Sequence, residues 1–351
     1  MSRQLKIKKF NPNSVGNLNH GMFGLPFSIE ESHIVVLPIP WDVTVSYAAG
    51  ASKGPKAIYN ASYQVDLYDP YLKDAWKIGV AMAPINTQLK KQSKQLRSKV
   101  ETYIETLTNG ADEQSTDNVA FQASINEACQ NMINWVEQET TNYLNAGKLV
   151  VGLGGDHSTP LGIFKAMAKK HGNFGILQID AHADLRNAYE GFEFSHASIM
   201  YNALKIKELK NLVQVGIRDY CEEENSFIEN NKDRIKTFFD KDIKHAQYGG
   251  KSIKKIHEDI VKALPNKVFV SFDIDGLDPK LCPSTGTPVS GGFETEEVLH
   301  LLEMVVAAGK TIIGFDLNEV APGNNEYDAN VAARILYRMI NILAKSNKLK
   351  I

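Results

Sequence analysis

Six strand-length apolar runs, at 33–40, 148–153, 174–180, 212–217, 267–275 and 311–316, punctuate the 351-residue sequence. They are rich in Val, Ile and Phe and nearly continuous, the pattern of strands buried on both faces. Between several of them lie helix-length segments with apolar residues three and four apart, such as 253–264 and 295–308. Strands of this kind alternating with amphipathic helices predict parallel βαβ units, with a helix layer on each side of the sheet. The pattern changes over 89–143. There, 90–107 is charged and predicts a helix, 109–118 is polar and predicts a loop, and 123–144 predicts a long helix. We take this stretch as an elaboration of a single domain spanning 1–351, with 1–30 as an N-terminal arm.

Charge narrows the partners. Lys and Arg number 39 against 41 Asp and Glu, a formal net charge of −2, and no basic stretch is dense enough to follow a phosphate backbone. Nucleic acid and anionic membrane surfaces are therefore not expected, and a small molecule is. No run approaches the roughly 18 apolar residues that span a bilayer. The basic N-terminus leads into a polar segment rather than an apolar one, so it does not read as a signal peptide. The three cysteines, Cys129, Cys221 and Cys282, are far apart, which argues against both a disulfide framework and a thiolate zinc site. These features predict a soluble cytoplasmic protein.

Chemistry is concentrated where apolar runs end, which is where open parallel sheets collect ligands. One run ends in Gly154-Gly155-Asp156-His157-Ser158, another in Asp180-Ala181-His182-Ala183-Asp184, and a third in Asp273-Ile274-Asp275-Gly276-Leu277-Asp278-Pro279. In extended chain, residues i, i+2 and i+4 share a side, so Asp180, His182 and Asp184 can converge, as can Asp273 and Asp275. With His157 they make four carboxylates and two imidazoles. Bare anions at that density repel and force protonation; metal cations remove the conflict. A carboxylate and imidazole set without sulfur suits Mn²⁺ better than Zn²⁺ or Ca²⁺. Six ligands exceed the needs of one catalytic ion, whereas two ions about 3.5–4 Å apart fit the count and lower the pKa of a shared water. The 273–278 segment lacks the spaced ligands and closing glutamate of a calcium loop.

In this order the three segments resemble the signatures of the ureohydrolase (arginase/agmatinase) superfamily. Upstream, Trp41-Asp42-Val43-Thr44-Val45-Ser46-Tyr47 and 50–58 resemble its substrate-access loop and first helix. Downstream, 283–288 with Gly291-Gly292, and 314–322, match its last two segments. The resemblance implies a three-layer α/β/α sandwich around about eight parallel strands. It also implies two manganese ions, nickel being an alternative: one held by His157, Asp180, Asp184 and Asp273, the other by Asp180, His182, Asp273 and Asp275. Members of the family attack a guanidinium carbon with hydroxide and release urea and an amine. The resemblance assigns Glu319 to the planar cation and His196 to proton transfer, with Asp184 also among the catalytic residues. It implies a homo-oligomer, trimer or hexamer. Asp156 and Ser158 read as capping or supporting groups, and His20, His171, His245, His257 and His300 as surface or packing residues.

The substrate is expected to be agmatine, yielding putrescine and urea. An arginase must clamp an α-amino acid end, partly through two aspartates after a Gly-x-Arg strand end; here Asp219 is present but Cys221 takes the second place. Arg186 stands where arginases offer an uncharged group, and the loop 184–196 resembles bacterial agmatinases in length and in Tyr189-Glu190-Gly191. Two departures keep arginine, guanidinobutyrate, other guanidino acids, formimidoylglutamate and free guanidine in view. The access loop reads Ser46-Tyr47-Ala48-Ala49-Gly50 where agmatinases carry Arg-Pro, and 89–143 is long. A metal-binding homologue without catalysis is disfavoured, because all six ligand candidates, Glu319 and His196 are retained.

Overall fold

Alternate residues of a strand face opposite ways, and in this chain both directions are apolar. The computed structural model describes residues 1–351. Eight strands, β1 (Ile34–Pro38), β2 (Val80–Met82), β3 (Leu149–Leu153), β4 (Phe174–Ile179), β5 (Leu209–Ile217), β6 (Ile235–Phe239), β7 (Lys267–Asp273) and β8 (Thr311–Asn318), form one sheet in the order β2-β1-β3-β8-β7-β4-β5-β6. Every pairing is parallel. The helices are α1 (Arg3–Lys9), α2 (Gly54–Ala61), α3 (Thr87–Thr108), α4 (Thr116–Asn145), α5 (Leu161–His171), α6 (Ile199–Ala203), α7 (Glu222–Asn230), α8 (Asp240–Tyr248), α9 (Ile253–Ala263), α10 (Thr295–Ala307) and α11 (Tyr327–Ser346).

Ile34, Val36, Val151, Leu177, Val270 and Phe315 point to one core, shared with α2 and α8 to α11. Val35, Val150, Ile176, Phe269 and Ile313 point to the other, shared with α3 to α7. The result is the expected three-layer α/β/α arrangement. Two strands carried no apolar run in the sequence, and both are edges. β2 has only three residues, too few to form a recognisable run, and most of β6 is half-exposed. α4 starts at Thr116, about two turns before the expected 123, inside the stretch read as loop. Ser115 caps it by accepting from the Asn118 amide at 3.4 Å, and the exposed first turns carry no apolar stripe to signal them.

The four central strands β3, β8, β7 and β4 carry the motifs at their carboxyl ends. The chain leaves β3 and returns as β4 three places away, and β7 and β8 later fill the two places between. A reversal of this kind opens a crevice above the sheet.

Candidate metal centre and active site

The turn after β3 is built on glycine. A Cβ at Gly155 would lie 1.8 Å from the Trp41 carbonyl oxygen, so the backbone there can approach the access loop only without a side chain. The Asp156 amide donates to that same carbonyl at 2.9 Å, and the turn delivers His157 over the sheet. Asp184 (φ 56°) and Glu319 (φ 62°) both adopt the left-handed conformation. It is unfavourable for residues with a side chain and concentrates at functional sites.

The side chains converge as expected, although not as extended chain: β4 ends at Ile179, and Asp275 lies in a helical turn, Ile274–Gly276. His157 Nδ1 lies 3.0 Å from Asp180 Oδ2, 3.0 Å from Asp184 Oδ2 and 3.3 Å from Asp273 Oδ2. His182 Nδ1 lies 3.0 Å from Asp275 Oδ2 and 3.7 Å from Asp180 Oδ1. Two groups of potential ligand atoms result, His157 with Asp180 and Asp273, and Asp180 with His182 and Asp275, the atoms of each lying within 4.8 Å of one another. Asp180 belongs to both. Glu319 adjoins them, its Oε1 accepting from the His157 amide at 2.9 Å.

These groups are ill at ease together. Burial, then Asp180, pushes the Asp184 carboxyl up to about 7. Burial, then Asp275 and Asp180, pushes Asp273 well above the usual carboxylate range, and burial, then Asp273 and Asp156, does the same to Glu319. Burial opposes charging of the two imidazoles, but the carboxylates outweigh it, raising His157 well above its ordinary value and His182 to about 11. The decisive observation concerns His157 Nδ1. With three carboxylate oxygens within 3.3 Å, it has no hydrogen-bond partner. One nitrogen cannot give its single proton to three acceptors, whereas a divalent cation among them satisfies all four atoms. The donor set therefore fits divalent metal.

Supporting groups that the motifs did not reveal hold the cluster from below. Gln178 Nε2 donates to Asp180 Oδ2 at 2.9 Å. Ser271 Oγ lies 2.9 Å from His157 Nε2 and donates to Asp316 Oδ1 at 3.0 Å. Gln178 and Ser271 each sit two residues before the first carboxylate of their motif, as polar residues inside apolar strands, which is the signal that could have found them.

Above the cluster a cavity of about 290 Å³ is lined by Ser46, His182, Asp184, Tyr189, His196 and Asp219, among others. A larger one, about 610 Å³, lies under the N-terminal arm, away from every motif. His196 shares the smaller cavity without bonding to the cluster; burial, then His182, holds its pKa down to about 4. The Asp219 side chain is 69% exposed at the rim, its Oδ2 3.9 Å from His182 Nε2. Arg186 also lines the cavity; its guanidinium lies 4.7 Å over the Tyr189 ring, with Nε 3.9 Å from Glu224 Oε2. Cys221 caps α7, its amide donating to Glu224 Oε2 at 2.9 Å. Asp156 turns inward and accepts from the Ser158 amide at 2.9 Å. Two histidines without a motif, His257 and His300, meet each other at 2.8 Å between α9 and α10.

A family model described as the arginase family matches residues 32–341. An N(1)-aminopropylagmatine ureohydrolase of Thermus thermophilus is 31% identical over 323 residues, covering 89% of this chain and 91% of that protein. An agmatinase of Bacillus anthracis is 29% identical over 310 residues, covering 87% of this chain and 89% of its own. Among solved structures, an agmatine ureohydrolase of Thermoplasma volcanium shares the fold with a TM-score of 0.68 at 24% identity, each chain covered in full.

Proposed function

The chain belongs to the arginase family of ureohydrolases, which act on guanidino compounds, and from that premise we propose that it is a binuclear-manganese agmatinase, hydrolysing agmatine to putrescine and urea. One ion would be held by His157, Asp180, Asp184 and Asp273, the other by Asp180, His182, Asp273 and Asp275. When bound, such a pair supplies hydroxide near neutral pH and positive charge for the transition state.

The chain's own residues do the rest. Glu319, held by the His157 amide through Oε1, presents a carboxylate to the planar guanidinium, a partner whose N–H groups a carboxylate can meet two at a time. Hydrolysis adds water at the guanidinium carbon so held and breaks its bond to the tail nitrogen. His196 in the same cavity passes a proton to that nitrogen, which leaves as the amine of putrescine, while the carbon departs as urea.

The observation that carries the substrate is the charge of the rim. Asp219 is exposed at the rim, and Arg186, which lines the same cavity, lies against the Tyr189 ring and 3.9 Å from Glu224 Oε2. An exposed carboxylate at the rim suits a tail ending in ammonium and disfavours one ending in carboxylate. The same rim, with the relative acting on an aminopropyl-extended agmatine, supports a second reading in which the tail is longer. The test is urea release by the metal-loaded protein from agmatine, N1-aminopropylagmatine, arginine, 4-guanidinobutanoate and guanidine, repeated with nickel. Formimidoylglutamate is added with its formamide product followed. Highest kcat/KM on a carboxylate-tailed compound would overturn the assignment.

We also infer a cytoplasmic homo-oligomer, trimer or hexamer. No helix is long and apolar enough to cross a membrane, and all three cysteines are unpaired, which suits a reducing compartment.

A further inference from the structure

Helices α3 and α4 take no part in the chemistry above, yet their side chains grip both loops that wall the cavity. Arg97 on α3 is only 8% exposed. Its Nη1 donates to the carbonyls of Val43, at 3.3 Å, and Val45. Four residues earlier, Ser93 Oγ accepts from the Asp42 amide and donates to Asp42 Oδ1, both at 3.2 Å. Between the two carbonyls that Arg97 holds lies Thr44. Its Oγ1 donates at 3.4 Å to the carbonyl of Phe194, two residues before His196.

The opposite loop is tied to the same helices. Tyr103 of α3 donates to the Glu190 carbonyl at 3.2 Å and accepts from Gln122 Nε2 of α4 at 2.8 Å. Gln122 lies across Gly191, where a Cβ would come within 2.2 Å of its amide carbon. A guanidinium is costly to bury. Its Nε is paired with Glu101 Oε1 at 3.1 Å, which leaves Nη1 directed at two backbone oxygens 52 and 54 residues away in sequence, both in one loop, an arrangement that fixes that loop's path.

We propose that Arg97 is a positioning residue for the reaction: by holding the carbonyls on either side of Thr44, it sets the access loop against His196 and fixes the cavity wall along which the substrate's tail lies. The inference rests on the reading of the cavity as the site of guanidino hydrolysis. It gives the long 89–143 segment a task, that of bracing the mouth from outside.

The test compares wild type, Arg97→Met, which keeps an unbranched apolar stem but has no donor, and Arg97→Lys, whose ammonium can stand in for the single nitrogen that makes both bonds to the loop. Backbone hydrogen exchange and steady-state kinetics are measured on the metal-loaded protein. In Arg97→Met, amides of 43–52 and 189–196 should exchange about tenfold faster with the strands unchanged. KM for agmatine should rise with two metals still bound, and kcat/KM should fall roughly 10- to 100-fold. Arg97→Lys should recover most of both changes. Unchanged loop exchange in Arg97→Met, or a rise spread evenly over the sheet, would overturn the inference. A wild type that releases no urea from any guanidino compound sinks the reading of the site instead, and loop exchange alone then decides the role of Arg97.

Discussion

The backbone amide of His157, at the end of β3, donates to the side chain of Glu319, at the end of β8, at 2.9 Å. One hydrogen bond thus sets the carboxylate assigned to the guanidinium relative to the imidazole assigned to a metal. Glutamine can keep that acceptor while losing the negative charge. Glu319→Gln should therefore retain both metals and lower kcat/KM for agmatine by about a hundredfold or more, the scale of a lost charge-assisted pair. Urea release and metal content measured together check it, and an unchanged kcat/KM would remove Glu319 from the site.

Asp180 and Asp273 are the carboxylates that would serve both ions. Asp273 Oδ1 also accepts from the Asp275 amide at 2.9 Å, so Asp273→Asn keeps the turn better than Asp273→Ala. Either Asp180→Ala or Asp273→Asn should hold fewer than two ions per subunit and lose about a thousandfold in urea release. Elemental analysis of the purified variants decides, and wild-type metal content would refute the ligand assignment.

Gly155→Ala should unfold the protein more easily or displace the His157 turn. The new Cβ would lie 1.8 Å from the Trp41 carbonyl, with Trp41 backbone nitrogen within 2.9 Å, so no side chain can give way. We expect a loss of about 3 kcal/mol or more by denaturant titration. Gly147→Ala, at φ 75° with nothing within 4 Å, should cost only about 1–2 kcal/mol for its left-handed backbone. Equal losses would contradict the steric account.

The His257 and His300 pair gives stability a dependence on pH away from the metal site. Burial, then the neighbouring His300, holds His257 down to about 4, against an ordinary value near 6.5. Between those two values the unfolded chain binds a proton that the folded one does not. This contribution is therefore complete above about pH 6.5 and is lost as pH falls toward 4, by roughly 1–3 kcal/mol. His257→Gln should flatten the difference in stability between pH 7 and pH 4.5 in denaturant titrations; an identical slope in both proteins would show that the pair does not titrate in this window.

Much of this site could be read before the fold was seen, because polar clusters that end buried apolar runs mark the carboxyl edge of a parallel sheet. Asp180, His182 and Asp184, and Asp273 and Asp275, do meet, but not as continuous strand: β4 ends at Ile179, Asp184 is left-handed and Asp275 lies in a helical turn, Ile274–Gly276. The edge strand β2 escaped because it is only three residues long, and β6 because most of it is half-exposed. Gln178 and Ser271 escaped because a single polar residue inside an apolar run does not say what it will meet. The His257 and His300 contact, and the reach of Arg97 to Val43 and Val45, join residues some forty to fifty apart. No local periodicity encodes such a meeting; only the packing of α9 on α10, and of α3 on the access loop, brings it about.

The most direct test is urea production from agmatine by manganese-loaded protein, run beside the same preparation stripped by a chelator and then reloaded. We predict urea and putrescine in equal amounts from the loaded protein, none from the stripped protein, and recovery on reloading. Loaded protein that yields no urea from agmatine or any other guanidino compound would contradict the account at its centre.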